Sequence, residues 1–306
     1  MNSNKKYIKN VLIAFLIGLL LLIVFRRVLI KRPTPEAPAN TKMKVATSFY
    51  PLYFFTSQIG GEQVEIVNVT PSGIEPHDYE PTPQNIIDIR SSKLFIFNGN
   101  GLDPWADKIQ DEVKRKGVVT IKMSDHAVSP DENDPHFWLD PILVQKQIDA
   151  ITDALIKIDP QNEAKYKIDS KTFKNRLTKL DEDYKEGLFS CKLREIIVSH
   201  RAFNYLAKRY NLTTFYISGL SPDEEPSPNR IAEIANIARQ KGIGYIFFET
   251  LVSPKLSETV ASEIGAKTLV LNPIEGLTEE DMNSGRDYFM LMKQNLANLK
   301  MALSCI

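Results

Sequence analysis

The chain has 306 residues, 43% hydrophobic and 25% charged, an ordinary globular composition with enough length for two domains or one large one. Lys+Arg and Asp+Glu both number 38, so no net field draws it to nucleic acid or to an acidic partner.

The N-terminal segment sets the compartment. Val11 to Phe25, "VLIAFLIGLLLLIVF", carries no charge; Lys5, Lys6 and Lys9 precede it, and Arg26, Arg27, Lys31 and Arg32 follow. Counted from Tyr7 to Ile30, with its arginines snorkelling, this stretch can span a hydrocarbon core of about 30 Å. No small-x-small cleavage site follows it and no cysteine lies near it. The expectation is an uncleaved membrane anchor with the body exported, not a lipid-modified terminus. Basic residues on both flanks leave the positive-inside rule silent. Residues 1–32 are thus read as anchor or uncleaved signal, and 33–42 as a Pro/Ala-rich linker with no core-forming content.

The body opens with a β-α rhythm. Strands are expected at Val45 to Phe49, at Val64 to Val69, in "KLFIF" and in "VVTIKMS", with helices between them, one opening at "PTPQNI" with Pro in its first turn. Short apolar runs alternating with helical patterns predict a parallel sheet covered on both faces. From Asp140 to about Gly187 the chain then reads as helix, interrupted at Asp159-Pro160. Its second part carries a narrow apolar stripe at Tyr166, Phe173, Leu177 and Leu180 among dense charge, the pattern of a mostly solvated strut. Asp140, followed by Pro, is the expected cap of the first part. A second β-α block follows: "REIIVSH", "TTFYISG", "IGYIFFE" and "AKTLVLNP" as strands, and a closing helix through "DYFMLMKQNLANLKMAL". The predicted fold class is therefore α/β, with two lobes at 43–160 and 188–306. Each has a mainly parallel four-stranded sheet, and one long rigid helix at 161–187 joins them. Ligands of such folds sit beyond the carboxyl ends of the strands.

The four histidines are His77, His126, His136 and His200. His77 lies after the second strand in "PSGIEPHDYEPTPQNI", His136 in "DPHFWLDP" before the long helices, and His200 at the end of "REIIVSH". An isolated histidine is ordinarily a surface or core residue, but three at one sheet edge form a candidate cluster. Glu275, in "LVLNPIEGL" after the last strand, reaches the same edge. Three imidazoles and one carboxylate make a four-coordinate set suited to zinc, with manganese, which prefers more oxygen, as the alternative. Glu249 closes "IGYIFFE" and is read as a partner that orients a ligand. His126 sits in an acidic loop with Asp125, Asp131, Glu132 and Asp134, and is read as solvated or as an accessory in gathering metal. Tyr50, Phe54, Phe55 and Trp138 are read as core. The two cysteines, Cys191 and Cys305, are expected to form a disulfide outside the membrane that ties down the last helix.

"EPHDYEPTP", "PHFWLDP", "VSHRAFNYLAKRY", "IFFE" and "LNPIEGL", in this order, resemble the zinc/manganese-binding solute receptors of bacterial ABC importers. The resemblance covers residues 43 to 306. It implies metal held in a cleft between two lobes, small lobe movements, and delivery to an ABC-type permease and its ATPase. It gives His77, His136 and His200 as ligands. Many members carry an aspartate ligand where Asn272 stands here; the "LNP-aliphatic-E" form is similar to the zinc-selective branch, which makes Glu275 the fourth ligand and leaves Asn272 structural. The chain departs from the family in its short loop around His126 and in its retained N-terminal helix. The expected function is a non-enzymatic receptor for Zn2+, with affinity falling below about pH 6 as imidazoles protonate. The alternatives are a zinc hydrolase, with Glu275 as general base beside a metal-bound water, and a surface adhesin on the same fold.

Overall fold

The computed structural model describes residues 3–29, 42–127, 133–222 and 224–306. The expected linker, apart from Lys42, and the loop acids Asp131 and Glu132 lie outside them. Two units are separable, 1–41 and 42–306. The described part of the first is a helix, α1 (Ser3–Leu29), whose Lys6–Ile23 window has a mean hydropathy of 2.0 and is long and apolar enough to cross a membrane.

The second unit begins on β1 (Met43–Thr47), followed by α2 (Tyr50–Gly60), β2 (Val64–Asn68), α3 (Pro83–Ser91), β3 (Leu94–Phe97), α4 (Pro104–Arg115), β4 (Val119–Lys122) and the short α5 (Ser124–Ala127). Two long helices come next, α6 (Pro141–Ile158) and α7 (Glu163–Gly187). The second lobe holds β5 (Glu195–Val198), α8 (Asn204–Arg209), β6 (Thr213–Tyr216), α9 (Pro228–Lys241), β7 (Tyr245–Phe248), α10 (Lys255–Ile264), β8 (Lys267–Val270), α11 (Glu279–Asn283) and α12 (Tyr288–Ala302). Both sheets are wholly parallel and have the same topology, β2-β1-β3-β4 and β6-β5-β7-β8. In each, the chain reverses its direction of travel across the sheet beside the first strand of the block, which creates a crevice at the carboxyl ends.

Strand alternation divides the side chains between two faces. Val45, Leu94 and Ile96 in the first sheet, and Ile196, Val198 and Phe247 in the second, enter one continuous core together with α2, α6, α7 and α12. Their sequence neighbours Ala46, Phe95 and Phe97 pack with Trp105 and Val113 of α4 on the other face of the first sheet. Ile197 and Ile246 do the same with Ile234 of α9 and Val260 of α10. A period of two along each strand is the reason one residue serves the shared core and the next serves its own lobe.

The predicted stripe of α7 is buried: Tyr166, Phe173, Leu177 and Leu180 are at most 2% exposed, and Tyr184 joins them. The rest of the helix is largely exposed, as expected of a solvated strut, while its buried stripe packs against α2, α6 and α12. Phe54 and Phe55 of α2, Phe173 of α7, and Tyr288 and Phe289 of α12 form an aromatic cluster, with Phe55–Tyr288 and Phe173–Phe289 both at 5.1 Å and edge to face. The Arg176 guanidinium lies 3.9 Å from the centroid of Phe289 and closes the cluster. Tyr50, Phe54, Phe55 and Trp138 are all buried, as expected of core residues.

Cys191 and Cys305 are joined across 114 residues, and they pair as an isolated antiparallel bridge that fastens the end of α12 beside the entry to β5. Closing a loop of this length is worth about 3–5 kcal/mol in the chain-entropy model. Metal-free Cys305→Ser protein should therefore melt roughly 5–10 °C below the oxidised parent. Calorimetry with and without reductant checks this, since reductant should lower the melting point of the parent only.

Candidate metal centre

The residues picked out at the strand ends meet. His200 stands two residues beyond β5, Glu249 one beyond β7 and Glu275 five beyond β8, while His77 lies in the loop after β2 and His136 just before α6. One ligand atom from each of His77, His136, His200 and Glu275 lies within 4.8 Å of the others. The His136 Nε2 atom is 3.2 Å from Nε2 of both His77 and His200. Glu275 Oε1 is 3.2 Å from His136 Nε2 and 3.5 Å from Nε2 of His77 and His200. Five of the six separations are thus 3.2–3.5 Å, and the sixth, His77 to His200, is within 4.8 Å. A tetrahedron with edges of about 3.2–3.5 Å has its centre about 2.0–2.1 Å from each corner, close to the Zn–N bond length.

Burial makes this cluster costly in the absence of a cation. The side chains of His136, His200 and Glu275 are fully buried, and that of His77 is 7% exposed. Neither Glu275 oxygen has a hydrogen-bond partner of good geometry among the described residues. A buried carboxylate without donors must be compensated by positive charge. Burial opposes ionisation of Glu275, yet the three imidazoles outweigh it and hold this carboxyl well below the ordinary range. Burial likewise opposes a charge on His200, but Glu249 and Glu275 raise its pKa well above the usual value. His136 is raised in the same way, against burial, by Asp134 and Glu275.

Two imidazoles are aimed by carboxylates. His200 Nδ1 lies 2.6 Å from Glu249 Oε1, which also accepts the Ser199 hydroxyl, so the strand-end glutamate occupies the orienting place expected for it. His136 Nδ1 lies 2.7 Å from Asp134 Oδ1. The second oxygen of Asp134 accepts from Asn204 Nδ2 at 2.8 Å, and its carbonyl accepts from Tyr205 Oη at 3.1 Å. A carboxylate on the far nitrogen sets the tautomer that leaves Nε2 facing the centre.

Asp134, expected only as one of the acids in the loop of His126, thus holds the His136 ring, and the sequence carries a signal for it. Glu75-Pro76-His77 and Asp134-Pro135-His136 are the same acid-Pro-His triplet, and in both the histidine N–H donates to the acid two residues before it, at 3.1 and 3.0 Å. Glu75 is mostly buried, and burial together with the nearby charge of Glu275 pushes its pKa up to about 10. Asp78 and Glu80 are exposed. Asn98, at the end of β3, donates from Nδ2 to the Pro135 carbonyl at 3.0 Å and steadies the second triplet. Its turn needs Gly99, whose φ is +80° and whose Cβ would fall 2.5 Å from the Lys122 side chain.

Asp140 caps α6, accepting from the N–H of Ile142 at 2.9 Å, and also receives Arg209 Nε at 2.9 Å. Asn272 is buried and stays off the cluster; its Oδ1 accepts the N–H of Ile274 at 2.7 Å. His126 is exposed on α5 and is not among the four clustered residues.

The family model described as "Zinc-uptake complex component A periplasmic" matches residues 45–302. The high-affinity zinc uptake system protein ZnuA of Bacillus subtilis is 38% identical over 280 residues, 86% of this chain and 88% of that protein. The zinc-binding lipoprotein AdcA of Streptococcus pneumoniae is 36% identical over 283 residues, 87% of this chain but 56% of its own length. The crystal structure of its Zn(II)-bound ZnuA-like domain superposes with a TM-score of 0.77 at 37% identity, covering 86% of this chain and 99% of that one. The laminin-binding protein Lmb of Streptococcus agalactiae, described as bifunctional with adhesin and metal transporting activity, gives 0.79 at 30% identity over 86% and 99%.

The raised pKa values of His200 and His136 have a consequence for pH. A cation entering among the Nε2 atoms must displace the protons they hold, so affinity rises as pH climbs through those raised values and falls on acidification. Proton competition therefore extends above the pH 6 limit expected from free histidine. At pH 7, loading of metal-free protein should release at least one proton per ion. Titration calorimetry in buffers of different ionisation enthalpy reads this directly, and a heat independent of the buffer would contradict it.

Proposed function

We infer that this chain, which belongs to the ZnuA family of periplasmic zinc-uptake components, captures Zn2+ outside the membrane and delivers it to an ABC-type metal permease with its ATPase. The observation that carries this reading is the fully buried Glu275 carboxylate, which sits 3.2–3.5 Å from the Nε2 atoms of three imidazoles. The cargo would be held by His77, His136, His200 and Glu275, with Asp134 and Glu249 fixing two of the rings.

Zinc suits this donor set better than manganese. Three nitrogens and one oxygen at short spacing favour a four-coordinate borderline cation, whereas manganese favours oxygen-rich octahedral sites and lies lower in the affinity order of divalent metals. Family members are solute-binding receptors. The geometry favours the same role here over a hydrolase, because Glu275 lies as near the imidazoles as they lie to one another and takes the corner a catalytic water would need. The apolar N-terminal helix supports a body held at the outer face of the membrane by that segment.

Glu275→Gln should weaken zinc binding by on the order of 100-fold or more, at or beyond the 10–100-fold typical of losing a partner behind a ligand. Glu249→Gln should fall within that smaller range. Competition against a chromogenic zinc chelator measures both, and manganese should fail to displace bound zinc in the same assay. Glu275→Gln binding zinc as tightly as the parent would remove the carboxylate from the ligand set.

A further inference from the structure

The loop that carries Glu275 is held in an unusual backbone conformation. Ile274 is β-branched and fully buried, and its φ is +59°, in the left-handed region that such residues seldom enter. Something must hold it there. The groups around it are fixed one by one: Asn295 of α12 accepts the Asn272 N–H through Oδ1 at 2.8 Å and donates from Nδ2 to the Asn272 carbonyl at 2.7 Å. The Ile274 N–H goes to Asn272 Oδ1. Farther along, the Leu277 carbonyl accepts the N–H of Gly73 at 2.9 Å, from the loop that bears His77.

The remaining bond comes from the other lobe. Trp138 Nε1 donates to the Pro273 carbonyl at 2.7 Å, and the Trp138 carbonyl itself accepts the Tyr288 hydroxyl at 2.7 Å. The indole is fully buried and packs edge to face on Phe49 at 4.7 Å. A buried indole N–H needs an acceptor, and Pro273 supplies it. Trp138 stands two residues after His136, and Pro273 two residues before Glu275, so one hydrogen bond sets the register between these two site residues.

We propose that Trp138 is a positioning residue for Glu275: its indole N–H on the Pro273 carbonyl keeps Ile274 left-handed and thereby turns the Glu275 carboxylate into the three imidazoles. The indole also lies 5.2 Å from the His136 ring, so the comparison in the Glu275→Gln background isolates the part that acts through the glutamate. This rests on the reading of Glu275 as a zinc ligand, and the test separates the two.

Zinc affinity is measured by chelator competition for the parent, Trp138→Phe, Glu275→Gln and the double variant, with the fold of each metal-free protein followed by circular dichroism. Trp138→Phe should bind zinc about 10–100-fold more weakly, as expected for loss of a partner behind a ligand. In the Glu275→Gln background the same change should cost less than about threefold, because the group it positions no longer binds as a carboxylate. Adding Ile274→Gly to Trp138→Phe should recover most of the loss, since glycine takes positive φ freely. Should Trp138→Phe not fold, 3-benzothienylalanine at position 138 keeps the ring shape, lacks the N–H and is held to the same expectations. A loss under threefold, a loss undiminished in the Glu275→Gln background, or no recovery with Ile274→Gly would each overturn the proposal. If Glu275→Gln alone binds zinc normally, the ligand assignment fails, whatever Trp138 does.

Discussion

A carboxylate buried among three imidazoles is the constraint around which this protein is organised. Glu275 is buried away from solvent, so its charge is compensated by the imidazoles that surround it. Two of the imidazoles are pressed to 3.2 Å from the third, His136, a spacing that suits ligands around one ion. A site with this much unfavourable energy in its metal-free form must be enforced by the surrounding fold.

The enforcement comes from a core that the two lobes share. Each sheet gives one face to the same apolar cluster, and α2, α6, α7 and α12 complete it. Pulling the lobes apart widely would expose Phe54, Phe173, Tyr288 and Leu177 to water, at about 25 cal/mol for each Å2 of apolar area. That cost favours local changes in the ligand loops over a wide hinge motion. His77, with the most exposed side chain of the four, lies on one such loop.

Short-range chemistry supplies the remaining order. Proline between an acid and a histidine restricts the backbone, and the acid takes the histidine N–H, so each triplet is stiff before any long-range contact forms. The two triplets then differ by one methylene. Asp134 is short enough to reach back to its own ring, whereas Glu75 extends until it feels the charge of Glu275. One motif thus serves to aim a ring in one place and to crowd a second carboxyl against the first in the other.

The sequence by itself determined the parallel sheets, the edge at which the histidines gather, the buried stripe of α7 and the pair of cysteines. These follow from patterns of two, of three to four, and of strand followed by helix, which are local and survive in a one-dimensional reading. The resemblance of five short motifs to metal receptors then singled out Glu275 over Asn272. Only the tertiary structure decided which helices the α7 stripe meets, because a narrow stripe looks alike whether it packs on one neighbour or three. The same holds for Asp134 on His136, for the left-handed turn at Ile274 and for Trp138 on Pro273, a bond spanning 135 residues. Such contacts depend on distances between loops that no spacing along the chain encodes.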